Sequence, residues 1–148
     1  MASDLFSSMS ISAQGMSAQR ARMDTVAQNI ANADSTHTAQ GGPYRRRQVV
    51  FEAIKPEQSF DTIFRSTMQT DSHLGVKVQR VVEDHTPFRE VYDPSHPDAN
   101  AQGVVKMPNV NPVQEMVDMS AAARSFESNV SAMQATKQMF MRSLDLLK

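Results

Sequence analysis

The chain has no cysteine and no tryptophan, and only five of its 148 residues are glycine. The missing cysteines exclude disulfides, thiolate nucleophiles and the usual structural zinc sites together. They leave the redox compartment open, since a cysteine-free chain can cross an oxidising space without mispairing. So few glycines leave little material for a phosphate-cradling loop, and neither a G-x-S-x-G elbow nor a G-x-G-x-x-G fingerprint occurs. Charge of one sign is also lacking. Fifteen basic residues against sixteen acidic ones give a net charge of −1, so no global field favours nucleic acid or anionic lipid. No run of about eighteen apolar residues occurs, and the first thirty residues lack both a basic leader and a continuous apolar core. We therefore expect no direct membrane insertion and no cleaved secretory signal.

What is present is a strong seven-residue rhythm. The stretch MSISAQGMSAQRARM places Met9, Met16 and Met23 at heptad spacing, and the 3,4 alternation extends through Phe6, Ala13, Arg20, Ala27 and Ile30. Ser3 with Asp4 supplies a start and Asn32 to Ser35 a stop, which predicts a helix from Ser3 to Asn32, roughly 45 Å long at about 1.5 Å per residue. The far end repeats the design in Met116, Met119, Ala123, Phe126, Val130, Met133, Lys137, Phe140, Leu144 and Leu147. Its start is sharper. Asn111 is placed to cap, Pro112 occupies the first helical position where its missing N–H costs nothing, and Gln114 sits third, which predicts a helix from Pro112 to near Lys148.

Between these ends the helical period disappears. VVFEAI (Val49 to Ile54), GVKVQRVVED (Gly75 to Asp84), FREVY (Phe88 to Tyr92) and GVVKM (Gly103 to Met107) are short β-branched or aromatic runs. YDPSHPDANAQG, Tyr92 to Gly103, is dense in Asp, Pro, Asn and Gly and predicts the long loop of a hairpin. Residues Ser59 to Ser72 are ambiguous, because Phe60, Ile63 and Phe64 suit one helical turn while their polar neighbours suit a loop. The expected fold class is α+β, with two long terminal helices packing as a coiled-coil-like assembly region around a small, mostly antiparallel β insert. The expected division is 1–32, 33–110 and 111–148.

A methionine stripe on a helix is an ordinary core or an intermolecular seam. The stripe has few large branched residues, and Gly15 costs about 1 kcal/mol of helix preference against Ala, so this helix is expected to need neighbours. Methionine, with three rotatable bonds, suits contacts that vary from one neighbour to the next. Arg20 and Lys137 interrupt the two stripes, either snorkelling outward or setting register against a partner's carboxylate. Arg45, Arg46 and Arg47, after Tyr44, form the densest basic patch. Without a second patch or a stacking platform it is read as a solvated loop or an ionic interface with an acidic neighbour, not as a nucleic-acid site. The four histidines show no ligand spacing. We therefore expect no catalytic residue, no metal and no cofactor.

The motif VAQNIANADS, Val26 to Ser35, resembles the signature near the amino terminus of the bacterial flagellar axial proteins, the rod and hook subunits. GGPYRRRQVVF (Gly41 to Phe51), VYDPSHPDANAQGVV (Val91 to Val105) and MPNVNPVQEMVDM (Met107 to Met119) are similar to proximal rod subunits of that family. The resemblance implies a structural, non-catalytic subunit of a hollow, torque-transmitting shaft. It also implies passage through the flagellar export apparatus without a cleaved signal, and a place in the rod that spans the periplasm. Implied partners are copies of itself, other rod subunits, the proteins joining rotor ring to rod, and the rod cap. Asn29 and Asn32 match the family element, and their amides are expected to satisfy backbone at the helix end or to bridge to a neighbour. The expected assembly interface is Phe6, Met9, Met16, Met23, Ile30, Asn29 and Asn32 on the first helix. On the second it is Met116, Met119, Phe126, Val130, Met133, Phe140, Leu144 and Leu147. Phe126 stands where the family suggests tyrosine, and Val104 where it often has an aromatic residue. Three other readings remain open on the residues alone: another axial subunit, a self-contained coiled-coil adaptor with a β recognition insert, or a histidine-dependent metal enzyme, which purified protein without bound metal would remove.

Overall fold

The computed structural model describes residues 2–39, 41–54 and 75–145, with side chains from Phe6 onward. The ambiguous segment containing Phe60, Ile63 and Phe64 lies outside the described residues, as does Leu147. Six elements follow in order: helix α1 (Ala2–Ala31), strands β1 (Arg47–Ile54), β2 (Gly75–Glu83), β3 (Arg89–Tyr92) and β4 (Val104–Met107), and helix α2 (Pro112–Asp145). The class is α+β, with each strand where a β-branched run predicted one; β1 begins two residues before that run, at Arg47. β1 pairs with β2, and β3 with β4, as two separate two-stranded sheets. The second pair is antiparallel, with Tyr92 opposite Val104 and Arg89 opposite Met107, so 93–103 is the hairpin loop that the Asp-, Pro- and Gly-rich wording predicted.

Both helix boundaries have local causes. At α2 the Asn111 side-chain oxygen accepts the Val113 N–H at 3.1 Å while its carbonyl accepts the Glu115 N–H at 3.0 Å, the arrangement of an N-cap. At the end of α1 the Asn32 amide donates to the Gln28 carbonyl at 2.9 Å, a second bond to an oxygen that also accepts the Asn32 N–H at 3.1 Å.

The chain forms two compact units. One comprises residues 1–21, 51–79 and 123–148; the other comprises 22–50 and 80–122. In the first, Phe6 and Phe140 stack with ring centroids 5.7 Å apart at 59°, and Ser12, Ala18 and Thr136 are buried. Gly15 has a packing role that helix preference does not reveal. A Cβ there would lie 2.9 Å from Asn129 Nδ2, so the missing side chain is what lets α1 approach α2 closely. In the second unit, Ala33, Tyr44 and Val110 form an apolar cluster, and Val26, Val105 and Ala122 are also buried.

The face that α1 buries within the chain is not the methionine stripe. Ser12, Ala18, Thr25, Val26 and Asn29 are the buried positions, while Met9, Met16, Met23 and Ile30 are half-buried and Phe6 is exposed. At 100° per residue the two sets lie on the order of a third of a turn apart. On α2 the stripe and the buried face overlap better. Met119, Phe126, Val130, Met133 and Phe140 are half-buried beside buried Glu115, Ala122 and Thr136, whereas Met116 and Leu144 are exposed.

Candidate assembly interface

A buried polar junction anchors the second unit. Asn29, fully buried near the end of α1, uses all of its amide. Its Nδ2 donates to the Arg47 carbonyl at 2.8 Å and to Glu115 Oε2 at 2.9 Å. Its Oδ1 accepts from the Tyr44 hydroxyl at 3.0 Å and from the Arg47 N–H at 2.9 Å. Glu115, 1% exposed in the first turn of α2, completes the set by accepting from Arg46 Nε at 2.6 Å through Oε1. Two amide donors and acceptors matched one to one in a site closed to water leave no orphaned group, which is the condition for such a network to stabilise. The carboxylate is further favoured by its place at a helix N-terminus.

Neighbouring groups extend the junction. The Arg46 guanidinium also lies 3.6 Å from Asp118 and 3.9 Å from Asp84, and Asp118 in turn faces Arg22 at 3.3 Å. Asn109 Oδ1 accepts the Arg46 N–H at 2.8 Å, and its amide donates to the Asp84 carbonyl and the Thr86 hydroxyl. Burial pushes the Tyr44 phenol above its ordinary range, with the Arg47 guanidinium partly opposing, so it stays protonated as the donor that Asn29 needs. The Asp84 carboxyl is held below its usual range, chiefly by the Thr86 N–H, which donates to it at 2.9 Å.

The three consecutive arginines therefore have three different surroundings inside one chain. Arg46 points into the junction, Arg45 lies over the Phe88 ring at 4.3 Å, and Arg47 pairs with Glu83 at 3.3 Å on the surface. Of the two asparagines in the NIAN element, Asn29 bridges three segments of the chain while Asn32 caps its own helix. Glu115 and Asn109 were not singled out in the sequence. An acidic residue in the first turn of a capped helix is usually a solvated dipole partner, so nothing local marked Glu115 as buried.

Of the remaining predicted interface residues, Met9, Met16, Met23 and Ile30 are half-buried on a flank of α1, Met119, Phe126, Val130, Met133 and Phe140 are half-buried on the packed side of α2, and Phe6, Met116 and Leu144 are exposed. Phe6 is 60% exposed and Met116 56% exposed, and Leu144 is exposed beside Met139 and Met141. Val113 and Val117, which the stripe omitted, are exposed on the first two turns of α2. Among the described residues, no three His, Cys, Asp or Glu side chains come together as a metal site, and no helix is long and apolar enough to cross a membrane.

Residues 9–40 match the family described as flagella basal body rod protein, and residues 101–146 match the flagellar basal body rod FlgEFG protein C-terminal family. Similarity to individual proteins runs through the β region as well. The flagellar basal-body rod protein FlgC of Bacillus subtilis is 45% identical over 149 residues, covering 97% of this chain and 98% of the relative. That of Borreliella burgdorferi is 37% identical with the same coverage, and that of Salmonella typhimurium is 39% identical over 92% of each chain. The match at both ends and through the middle agrees with the NIAN, YDPSHPDA and PNVNP wording. This chain belongs to the family of flagellar basal-body rod proteins FlgC.

Proposed function

We propose that this chain, a structural subunit of the proximal rod of the flagellar basal body, polymerises through its terminal helices into a hollow shaft. The methionine stripe carries the reading. Met9, Met16 and Met23 follow a heptad seam, yet the chain's own fold buries a different face of α1 and leaves them half-exposed. A seam on that flank is available to helices of neighbouring subunits, and coiled-coil-like packing there would cover it. Methionines tolerate non-equivalent neighbours, which a short shaft section between different subunit types requires. In this reading 1–32 and 111–148 are assembly helices and 33–110 is the insert between them.

The same reading gives the chain no catalytic role. It is made in the cytoplasm, passes through the flagellar export apparatus without a cleaved signal, and takes its place in the periplasm-spanning rod. Its partners there are copies of itself, other rod subunits, rotor-ring junction proteins and the rod cap. The resemblance of the whole chain to the axial family supports these assignments.

Amide hydrogen exchange on the dilute chain and on isolated basal bodies tests the proposal. Fast exchange at 2–18 and 129–145 in the dilute chain, with slow exchange at the same amides in basal bodies, is the expected result. Slow exchange along both helices in a dilute monomer would overturn it in favour of a self-contained adaptor.

A further inference from the structure

The outward faces of the two helices carry charges that have no ion-pair partner among the described residues. On α1, Arg20 and Asp24 are exposed; on α2, Arg124 and Glu127 are exposed. Among the described residues none of these four side chains has an ion-pair partner, although Arg22 and Arg46 pair with Asp118 and Arg46 also pairs with Glu115. Each pair lies on the side of its helix opposite the positions buried in the chain, Ala18 and Thr25 on α1, Ala122 on α2. Both faces therefore point away from the in-chain contact, and a single chain cannot bring them together.

The order of the charges selects one arrangement. Read from N to C, each helix presents a positive and then a negative residue. A parallel pairing in register would set like charges together, and one shifted to oppose Arg20 to Glu127 would leave Asp24 and Arg124 without each other. An antiparallel pairing that puts Arg20 against Glu127 brings Asp24 level with Arg124 to within one residue, about 1.5 Å of rise. This register is a property of each helix alone. It also sets Ala31 level with Met116 and Val117, so that small side chains of α1 meet the exposed apolar turn of α2, where Val117 is 58% exposed.

We infer that the outward face of α2 docks, antiparallel, on the outward face of α1 of a second copy of this chain, through Arg20–Glu127 and Asp24–Arg124 ion pairs and the packing of Met116 and Val117 over Ala31. The inference rests on the reading of the chain as a polymerising subunit, and it assigns the contact to faces other than the methionine seam.

Charge exchange tests it in a bacterium deleted for its own copy of this chain, where restoration of swimming by the unaltered chain tests the parent reading separately. Arg20→Glu and Glu127→Arg are each expected to reduce the swimming halo about threefold, and the double exchange to restore it. Swimming unaffected by either single change, or a double exchange no better than the worse single, would overturn the pairing. Because the chain has no cysteine, a second measurement is clean. Ala31→Cys and Val117→Cys are placed on separately tagged copies expressed together, and a disulfide joining the two tags in isolated basal bodies is expected. Swimming cells whose basal bodies contain both copies without that bond would sink this interface while leaving the polymerising reading intact.

Discussion

Asn29 and Glu115, 86 residues apart, share a buried hydrogen bond of 2.9 Å, and through it the last turn of the first helix is tied to the first turn of the second. The bond belongs to a set in which every polar atom of the asparagine amide is engaged. The junction therefore depends on one side chain more than on any apolar contact around it.

Replacing Asn29 by Ala would leave the Glu115 carboxylate, the Tyr44 hydroxyl and two backbone groups of Arg47 short of partners. The expected loss is about 3 kcal/mol, since each buried group left unsatisfied costs about 1 to 3 kcal/mol and some regain water. Asn32→Ala removes a donated bond to the Gln28 carbonyl and an accepted bond from the Ser35 hydroxyl, both near the surface, and is expected to cost about 1 kcal/mol. Urea midpoints of the two variants, taken with unchanged slopes, check the ordering.

The three arginines separate in the same measurement. Arg46→Ala strands a buried carboxylate and is expected to cost about 3 to 5 kcal/mol. Arg45→Ala loses a cation–π contact of about 0.5 to 1 kcal/mol, and Arg47→Ala an exposed ion pair with Glu83 and a longer cation–π contact with Tyr44, together about 1 kcal/mol. Equal losses at the three positions would refute the inward role of Arg46.

Tyr44 makes stability fall at alkaline pH. Its folded-state pKa is raised above the ordinary value of 10.0, so the folded chain holds the phenolic proton more tightly than the unfolded chain does. The contribution is complete below about pH 10 and is lost as pH rises through the folded value. Tyr44→Phe is expected to cost about 1 kcal/mol at neutral pH, since Asn29 keeps its Arg47 donor, and to flatten the alkaline limb. Melting temperatures between neutral and strongly alkaline pH would show both effects.

Met16→Asp puts a charge on the half-buried seam without touching the junction. The second unit should melt as in the parent chain, while rod assembly and motility are abolished. Normal swimming by that variant would remove the seam from the assembly account.

The two helices, the Asn111 cap and the four strands were legible because each rests on local rules, whereas the first helix already includes Ala2 and Ser3, ahead of the start expected at Ser3 with Asp4. A heptad rhythm, Asn-Pro at a helix start and β-branched runs bounded by turn residues act within a few positions of the chain. Family membership was legible from wording, at NIAN, YDPSHPDA and PNVNP. The burial of Glu115 and the inward turn of Arg46 were not. Each needs a partner from a segment distant in sequence, and a charged residue gives no local sign of having one.

By itself, then, the sequence determined the periods, the approximate extents of the elements and the cap of the second helix. The tertiary structure decided which side of each helix is used. Hydrophobic periodicity marks an apolar stripe but not its occupant, and α1 instead buries Ser12, Ala18 and Thr25. Where small residues face the second helix the two can approach closely, as at Gly15, whose added Cβ would meet Asn129, and the bulkier methionines stay half-buried on the flank.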